Sequence, residues 1–364
     1  MKKDDIYFFI GTEAELIKIF PVIIECQTGG VVCHIIASGQ NDLKKSRILQ
    51  YIQLNGKIFE LSHEENIVKS AKGLLYWFLK TKKCAIQLIK KEFGDLHGKY
   101  LIVHGDTVST MMGAMIGRKL GMQVCHVEAG LRSHHLFNPF PEEIDRLITS
   151  KIARVHFAPG EEPVKNLRYA KGEVVNTQYN TILDSLAFSH DIPVMTKELD
   201  KILGQDYFVF VMHRQENLMN VEFVKDVVGK VKQYAKKKKC VVILHKITEN
   251  TFRAMGILEE LKQNEQFVLL PRVDYFDFMK LLQQSQFVIT DGGSNQEELH
   301  YMGKPCLIMR KTTERNEGIG ENAVIFNGDL NFVDVFVRNY REYKKLAYSE
   351  MPSPSKIIAS RLLH

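Results

Sequence analysis

The chain has 364 residues, of which 45% are hydrophobic and 25% are charged, and its formal net charge at pH 7 is +6. This composition supplies enough apolar residues for a core and excludes a disordered or fibrous chain, and the length favours two domains of roughly 100–200 residues each. No apolar run approaches the ~20 residues of a membrane-spanning helix. The mild charge, without a broad basic face and stacking aromatics, excludes a nucleic-acid partner.

The amino terminus and the cysteines both predict a cytoplasmic protein. Apolar residues 6–10 follow Asp4 and Asp5 and run straight into a charged segment, which indicates a first β-strand and not a signal peptide. The six cysteines are scattered without a CxxC pair. This spacing argues against a disulfide scaffold or a zinc site and fits a reducing compartment.

Short apolar runs recur along the chain, each followed by a polar or glycine-containing turn and a helical stretch. They are 6–10, 31–37, 100–106, 122–130 and 153–160 in the first half, and 207–213, 239–246, 266–271, 285–293 and 304–310 in the second. Both faces of these runs are apolar, as in parallel strands covered by helices on each side. The pattern predicts an α/β protein with two doubly wound sheets.

The two series of strands divide the chain into an amino-terminal domain, 1–172, and a carboxyl-terminal domain, 173–347. A segment rich in Gly, Asn and Pro, 171–206, is the predicted crossing between them. The tail of about 348–364 reads as a short amphipathic helix, and we expect it to pack back on the first domain. Because ligands of doubly wound sheets bind beyond the carboxyl ends of the strands, functional residues are expected just after the apolar runs.

Two turns in the first half carry candidate residues. GTEAELIKIFP, 11–21, joins a strand to a helix whose free amides attract anions, and Lys18 lies just over one turn into that helix. In HGDT, 104–107, Asp106 follows a strand end. Both have ordinary explanations, a surface lysine after a plain turn and an aspartate that caps a helix.

The segment 126–146, HVEAGLRSHHLFNPFPEEIDR, is the most informative. Glu128 follows a strand, and Glu142 and Arg146 share a face of the next helix. A surface ion pair would explain Glu142 and Arg146. However, the loop between Glu128 and Glu142 is rich in His, Phe and Pro, which are costly to expose. With Asp106, these carboxylates are expected to converge, so that their pKa values diverge into acid and base roles.

In the second half, His213 and Arg214 follow the first strand, where such a pair can hold a phosphate and donate a proton to a leaving oxygen. A histidine at a strand end is also a common structural residue.

The segment TDGGSNQEELHYMGKP, 290–305, places Gly292 and Gly293 between a strand and a helix. Their backbone amides suit a diphosphate, and Glu297 or Glu298 suits ribose hydroxyls. A plain helix start with two acidic residues is the simpler explanation. The polar loop MRKTTERNEG, 309–318, contributes Arg315 as a residue that would close over a ligand.

Taken together, the segments HGDT, HVEAGLR, PEE with Arg146 four residues on, HR-x-EN, QEE, GKP and TTER resemble the UDP-N-acetylglucosamine 2-epimerase family in order and spacing over nearly the whole chain. The resemblance implies the GT-B fold, two Rossmann-like domains with a cleft between them, and a homodimer. It also implies anti elimination of UDP to 2-acetamidoglucal and re-addition with inversion at C2, without NAD or a metal, in the synthesis of bacterial surface polysaccharide.

The resemblance assigns roles residue by residue. Asp106, Glu128 and Glu142 would move protons at C2, and His213 would act on the departing diphosphate. The substrate-binding set comprises Lys18, Arg146, Arg214, Phe278 near uracil, Gly292, Gly293 and Ser294 at phosphate, Glu298 at ribose, and Arg315. Which carboxylate is acid and which is base stays open.

The nucleotide-binding loops depart from the family pattern. Glu13 stands where the family has arginine in GTRPE, Ser294 and Asn295 alter DSGGIQEE, and Tyr179 replaces a glycine. These changes predict that the substrate or its binding mode differs from plain UDP-N-acetylglucosamine. A hydrolysing 2-epimerase, a GT-B glycosyltransferase and an inactive sugar-nucleotide-binding homologue remain the alternatives.

Overall fold

The computed structural model describes residues 4–61, 71–133, 141–310, 316–348 and 350–364, and of residues 71–79 only the backbone. The chain forms two compact units. The first contains Met1–Ser185 together with Pro352–His364, and the second contains Leu186–Met351.

The described residues of the first unit contain one parallel sheet of seven strands. The strands are β1 (Ile6–Ile10), β2 (Cys33–Ala37), β3 (Ile58–Glu60), β4 (Tyr100–His104), β5 (Gln123–Val127), β6 (Val155–Ala158) and β7 (Glu173–Asn176). Their order across the sheet is β3-β2-β1-β4-β5-β6-β7. The order reverses between β1 and β4, which is the switch point where doubly wound sheets bind ligands.

Helices cover both faces of this sheet. They are α1 (Glu13–Thr28), α2 (Ile48–Ile52), α3 (Ala71–Phe93), α4 (Val108–Lys119), α5 (Glu142–Ile152), α6 (Glu161–Asn166) and α7 (Ile182–Ser189). Two threonines fix the helix starts that follow switch-point strands: Thr12 accepts a hydrogen bond from Glu15 N at 3.2 Å, and Thr107 accepts one from Thr110 N at 3.1 Å. The polar loops after β1 and β4 are thereby held against a buried core.

The second unit repeats this plan. Its described strands are β8 (Tyr207–Val211), β9 (Lys239–Leu244), β10 (Phe267–Pro271), β11 (Val288–Thr290), β12 (Cys306–Ile308) and β13 (Ala323–Ile325). They form a parallel sheet of order β10-β9-β8-β11-β12-β13, with its switch point between β8 and β11. A cluster of buried residues that includes Phe208, Phe210 and Phe287 fills one side of it.

The helices of the second unit are α8 (Lys197–Asp200), α9 (Gln215–Leu218), α10 (Val221–Ala235), α11 (Lys246–Ala254), α12 (Ile257–Lys262), α13 (Tyr275–Gln284), α14 (Gly293–Tyr301) and α15 (Asn331–Asn339). The last helix, α16 (Pro354–Leu363), belongs to the first unit and packs on α1, where Leu363 lies against Gly29. Within the residues that the structure describes, no helix has the length and apolar character needed to cross a membrane.

All ten apolar runs singled out in the sequence contain a strand, which confirms the two parallel sheets. The sequence placed a domain boundary between 172 and 173, whereas the compact units divide at Ser185 and Leu186, inside α7. The reason is that β7 pairs with β6 and Ser185 Oγ donates to Ile17 O at 2.6 Å, so both stay with the first unit.

Candidate active site

Glu128 occupies the end of β5 in a strained backbone conformation. Its φ of 65° lies in the left-handed region, which a non-glycine residue adopts only when the surroundings enforce it. The side chain is buried, with 9% of the residue exposed. Such strain concentrates at functional sites, and it directs the carboxylate into a set of polar side chains from three other elements.

One oxygen of Glu128 collects these contacts. Lys18 Nζ donates to Oε2 at 2.5 Å and Asn180 Nδ2 donates to the same atom at 2.6 Å. His104 Nε2 lies 3.3 Å from it without the geometry of a hydrogen bond. A buried carboxylate is stable only with such partners. Lys18 and Asn180 therefore fix the orientation of the Glu128 carboxylate.

Asp106, after β4, forms an ion pair with Arg146 of α5. Arg146 Nη1 also lies 3.6 Å from Glu143 Oε2. Glu143 in turn accepts Arg132 Nε at 2.5 Å and Ser133 N at 3.1 Å. Burial opposes ionisation of Glu143, but these hydrogen bonds outweigh it and hold its pKa below the usual range. Arg146 therefore bridges two acidic groups and does not pair with Glu142.

The first turn of α5 carries Glu142 and Asp145, each with a buried carboxylate oxygen that has no hydrogen-bond partner. Only 2% of Asp145 is exposed. Burial, together with the charges of Asp106 and Glu142, raises the pKa of Asp145 to about 7. The loop that precedes this turn, 134–140, lies outside the described residues.

The turn after β1 is tied to the loop after β4 by Glu15. Glu15 accepts Gly11 N at 2.6 Å and Thr107 Oγ1 at 2.6 Å. Burial raises its pKa despite these bonds. Glu13, the residue that departs from the family pattern, donates its N–H to Asn41 Oδ1 at 3.2 Å and accepts from Ser46 Oγ at 3.5 Å.

In the second unit, Asp291 anchors the loop after β8. It is fully buried and accepts His213 N at 3.0 Å, Arg214 N at 3.0 Å and Asn217 Nδ2 at 3.1 Å. Arg214 Nε donates to Asp291 O at 2.9 Å. One carboxylate after β11 thus fixes the backbone of the HRQEN segment after β8, across the switch point.

The imidazole of His213 stacks on that of His245, with ring centroids 4.6 Å apart. Burial lowers the pKa of His213, an effect that Asp291 opposes and that Arg214 and Arg272 reinforce. Burial and His213 lower the pKa of His245 to about 4. Both rings are therefore neutral near pH 7, and a neutral His213 bound to an anionic oxygen would gain a proton more readily as that charge approached.

In the turn after β11, a side chain at Gly292 would displace the side chains of two neighbouring residues. A Cβ there would lie 2.6 Å from Asn295 Oδ1 and 2.9 Å from His213 Cε1. Helix α14 begins at Gly293, and Gly292 N donates to Thr290 Oγ1 at 3.0 Å. The arrangement brings the glycine turn, the imidazole of His213 and a helix amino terminus together, which suits a phosphate group.

The remaining predicted residues of this unit occupy different settings. Ser294 is exposed in the first turn of α14, and Glu298 is buried, where Asn295 Nδ2 donates to its Oε2 at 3.2 Å. Phe278 is half-buried on α13. Arg315 lies outside the described residues. In the part of the chain that the structure describes, no group of three or more His, Cys, Asp or Glu side chains is arranged to hold a metal ion.

Several residues at these sites were not singled out by the sequence. Asn180 reads as a linker residue, and only the fold brings it 2.6 Å from Glu128. Asp291 stands at a strand end in TDGG, which is a usable signal for a functional aspartate. Asp145 is the third acidic residue of a helix start, where acidic residues are common for electrostatic reasons alone.

Comparison with known proteins gives one consistent family. A family model described as UDP-N-acetylglucosamine 2-epimerase matches residues 30–350. The UDP-N-acetylglucosamine 2-epimerase of Methanocaldococcus jannaschii is 29% identical to this chain in an alignment 353 residues long, which covers 92% of this chain and 93% of that protein.

Two solved structures are similar over the whole chain. The crystal structure of UDP-GlcNAc 2-epimerase from Neisseria meningitidis bound to UDP-GlcNAc has a TM-score of 0.79 at 25% identity, covering 99% of both chains. That of the Methanocaldococcus jannaschii enzyme in complex with UDP-GlcNAc and UDP has a TM-score of 0.75 at 25% identity, again over 99% of each chain.

Proposed function

Because the chain belongs to the UDP-N-acetylglucosamine 2-epimerase family, we propose that it inverts C2 of UDP-N-acetylglucosamine or of a close UDP-N-acetylhexosamine. The observation that carries the proposal is the setting of Glu128, a strained and buried carboxylate whose Oε2 is held by Lys18 and Asn180. Relatives solved with UDP-GlcNAc bound, at 25% identity, support the same substrate class.

The reaction begins with anti elimination. A carboxylate takes the proton from C2, the electron pair of that C–H bond forms the C1–C2 double bond, and the C1–O bond breaks with its electrons on the UDP oxygen. The product is 2-acetamidoglucal. In the return step the UDP oxygen bonds to C1 again, and a carboxylic acid delivers a proton to the opposite face of C2. We assign the acid and the base to the set Asp106, Glu128 and Glu142.

The hydrogen at C2 of an acetamido sugar is weakly acidic, so the leaving group must be stabilised while the proton departs. In the second unit, the amide of Gly293 at the start of α14 is suited to the diphosphate, with the exposed Ser294 beside it, while Gly292, whose N–H donates to Thr290 Oγ1, adds no side chain there. A neutral His213 can donate a hydrogen bond from its ring N–H to the departing oxygen, and this bond strengthens as negative charge grows there. Arg214 adds positive charge to the same loop.

Further binding roles follow for other residues. We propose that Lys18 and Arg146, which already hold Glu128 and Asp106, keep those carboxylates oriented while the sugar is bound. Glu298 is assigned to the ribose hydroxyls, Phe278 to the uracil ring and Arg315 to closure over the ligand. Asn295 Nδ2 donates to Glu298 Oε2 and so helps to orient this carboxylate.

We propose a cytoplasmic homodimer that supplies a precursor of bacterial surface polysaccharide. The cysteines are free thiols, of which Cys84 is exposed, and this fits a reducing compartment. Light scattering coupled to size exclusion tests the dimer, and a monomeric mass would remove that part of the proposal.

The test of the function is conversion of UDP-N-acetylglucosamine followed by proton NMR, started from either epimer. We expect the same mixture of the two UDP-sugars from both directions, with no free UDP accumulating. Irreversible release of UDP with free sugar would indicate a hydrolysing enzyme instead. Absence of any conversion of a panel of UDP-N-acetylhexosamines would overturn the proposal.

A further inference from the structure

Asp145 is a buried carboxyl group beside two proposed catalytic carboxylates, and none of the roles above uses it. It lies in the first turn of α5, three residues after Glu142, and only 2% of it is exposed. Its Oδ2 is buried and has no hydrogen-bond partner. An ionised carboxylate in this setting would be costly, because a buried charge needs a partner.

The charged groups around Asp145 do not supply that partner. Glu142, Glu143 and Arg146 share its helix; Arg146 is engaged by Asp106 and lies near Glu143, and Arg132 is engaged by Glu143. In the described part of the chain, no ion pair reaches Asp145.

Within the residues that the structure describes, the elements packed on α5 add no countercharge. Helix α4 carries no titratable side chain between Val108 and Gly117. Strand β5 offers the buried thiol of Cys125 and the imidazole of His126, whose Nε2 lies 2.7 Å from Gly105 O. Burial lowers the pKa of His126 to about 3, so this ring brings no positive charge near neutral pH.

We propose that Asp145 is a positioning residue that carries a proton up to about neutral pH, and that this proton spares Asp106 and Glu142 a further negative charge beside them. Ionised Asp145 would place a third carboxylate next to Asp106 and Glu142, and the repulsion would disturb the positions of these two groups. The raised pKa of about 7 agrees with this assignment. The inference rests on the proposed 2-epimerase function and adds a residue to its proton chemistry.

The test compares the pH–rate profiles of the wild type and Asp145→Asn, which cannot ionise. We expect the wild-type kcat to fall above pH ~7, by about thirtyfold at pH ~8.5, since each pH unit above a pKa removes about tenfold of the protonated form. Asp145→Asn should keep its rate over that range, with KM unchanged. Asp226→Asn, an exposed substitution on α10, should show the wild-type profile.

Asp145→Ser is a second variant that cannot ionise, and it should show the same pH-independent rate as Asp145→Asn. Thermal melting verifies that each variant is folded, so that a change in rate is not mistaken for unfolding. Infrared titration of the wild type should show a neutral carboxyl band that disappears as the pH passes about 7 and that Asp145→Asn lacks. Superimposable pH–rate profiles, or infrared spectra above pH ~6 in which the wild type has no neutral carboxyl band beyond those of Asp145→Asn, would overturn the proposal. If no protein epimerises at any pH, the proposed function fails, while the infrared band still decides the protonation of Asp145.

Discussion

Glu128 is the residue on which the proposed chemistry depends most. Its left-handed φ, its burial and two short hydrogen bonds to a single oxygen all act on one side chain. The backbone strain and the burial of a charge both cost free energy, and the hydrogen bonds restrict the side chain to one orientation. A residue with only a structural role does not require these features. The three together are most simply explained by a carboxylate that must hold one position relative to a substrate.

Replacing Glu128 by Gln should lower kcat about 10²- to 10⁴-fold, the range of a positioned acid or base. Glutamine keeps the shape of the side chain and can still accept from Lys18 or Asn180, so the fold should persist. Steady-state kinetics with UDP-N-acetylglucosamine provides the measurement. The control is Glu162→Gln, on the exposed surface of α6. Equal rates in both variants would exclude Glu128 from the chemistry.

Asp145 should also make stability depend on pH. The pKa of Asp145 is about 7 in the folded protein and has the ordinary value of 3.8 in the unfolded chain. The stability that protonated Asp145 contributes is therefore fully present below pH 3.8 and is lost as the pH rises from there to about 7. The shift in pKa corresponds to a loss of about 4 kcal/mol in the free energy of unfolding. Asp145→Asn should therefore raise the Tm relative to the wild type at pH ~8 and much less at pH ~4. An equal shift at both pH values would contradict the assignment.

For individual residues, the sequence identifies the carboxylates of the site but not their hydrogen-bond partners. Glu128, Asp106 and Glu142 stand in recognisable segments at strand ends or a helix start. Asn180 is 52 residues from Glu128, and nothing in the local sequence predicts its contact with that carboxylate. The buried, unpartnered Oδ2 of Asp145 could not be predicted from the sequence either. Whether an aspartate at a helix start is buried depends on the tertiary fold and not on its neighbours in the chain.

Among the elements, the turn between β11 and α14 offers a steric test of the phosphate site. Gly292→Ala would place a methyl group against Asn295 Oδ1 and His213 Cε1, at 2.6 and 2.9 Å. Its backbone φ of −83° suits alanine, so the effect is one of space and not of backbone strain. We expect UDP affinity to fall about tenfold or more, measured by calorimetry, since about 1.4 kcal/mol corresponds to tenfold.

Gly229→Ala is the matched control for this substitution. Gly229 lies inside α10, and a Cβ there would meet nothing within 4 Å. Alanine is favoured over glycine in a helix interior by about 1 kcal/mol, so this variant should be more stable and bind UDP normally. If Gly292→Ala also bound UDP normally, the glycine turn would not be the phosphate site.

The turn after β1 offers a test of the altered nucleotide loop. Glu13 stands where the family has arginine, and its carboxylate accepts from Ser46. If this loop faces the diphosphate, Glu13→Arg should strengthen UDP binding about threefold to tenfold, because a repulsive charge is replaced by a phosphate-binding cation. Glu162→Arg, the same charge change on an exposed helix, is the control. Unchanged UDP affinity would place the loop elsewhere.

The elements that the sequence did not predict share a physical cause. Strands β3, β7 and β13 have three or four residues each and lie at sheet edges, and each is only partly buried. Edge strands need no apolar residues on both faces, and the apolar run is only two residues long in β3 and β7 and four residues long, Ala323–Phe326, at β13. The central strands, which position the site, were the ones the pattern predicted correctly.

In the molecule as a whole, the same arrangement of a parallel sheet covered by helices occurs twice. Each unit has a parallel sheet that reverses its strand order, and in each unit the candidate residues follow the strands at or next to that reversal. The chain returns to the first unit at its end, where Arg361 pairs with Glu173 at 2.6 Å and Asp184 accepts Ser355 N at 2.7 Å. Family membership and the two sheets agree with the fold that the sequence implied.

The proposed function as a whole rests on removal and return of the hydrogen at C2 by the carboxylates of the first unit. The most direct measurement is incubation of the enzyme with UDP-N-acetylglucosamine in heavy water, with mass spectrometry and NMR of the recovered UDP-sugars. We predict deuterium at C2 in the product epimer, accompanied by its appearance in the starting epimer as equilibrium is reached. Recovery of both epimers without deuterium, or of every member of a panel of UDP-N-acetylhexosamines unchanged and protonated, would contradict the account.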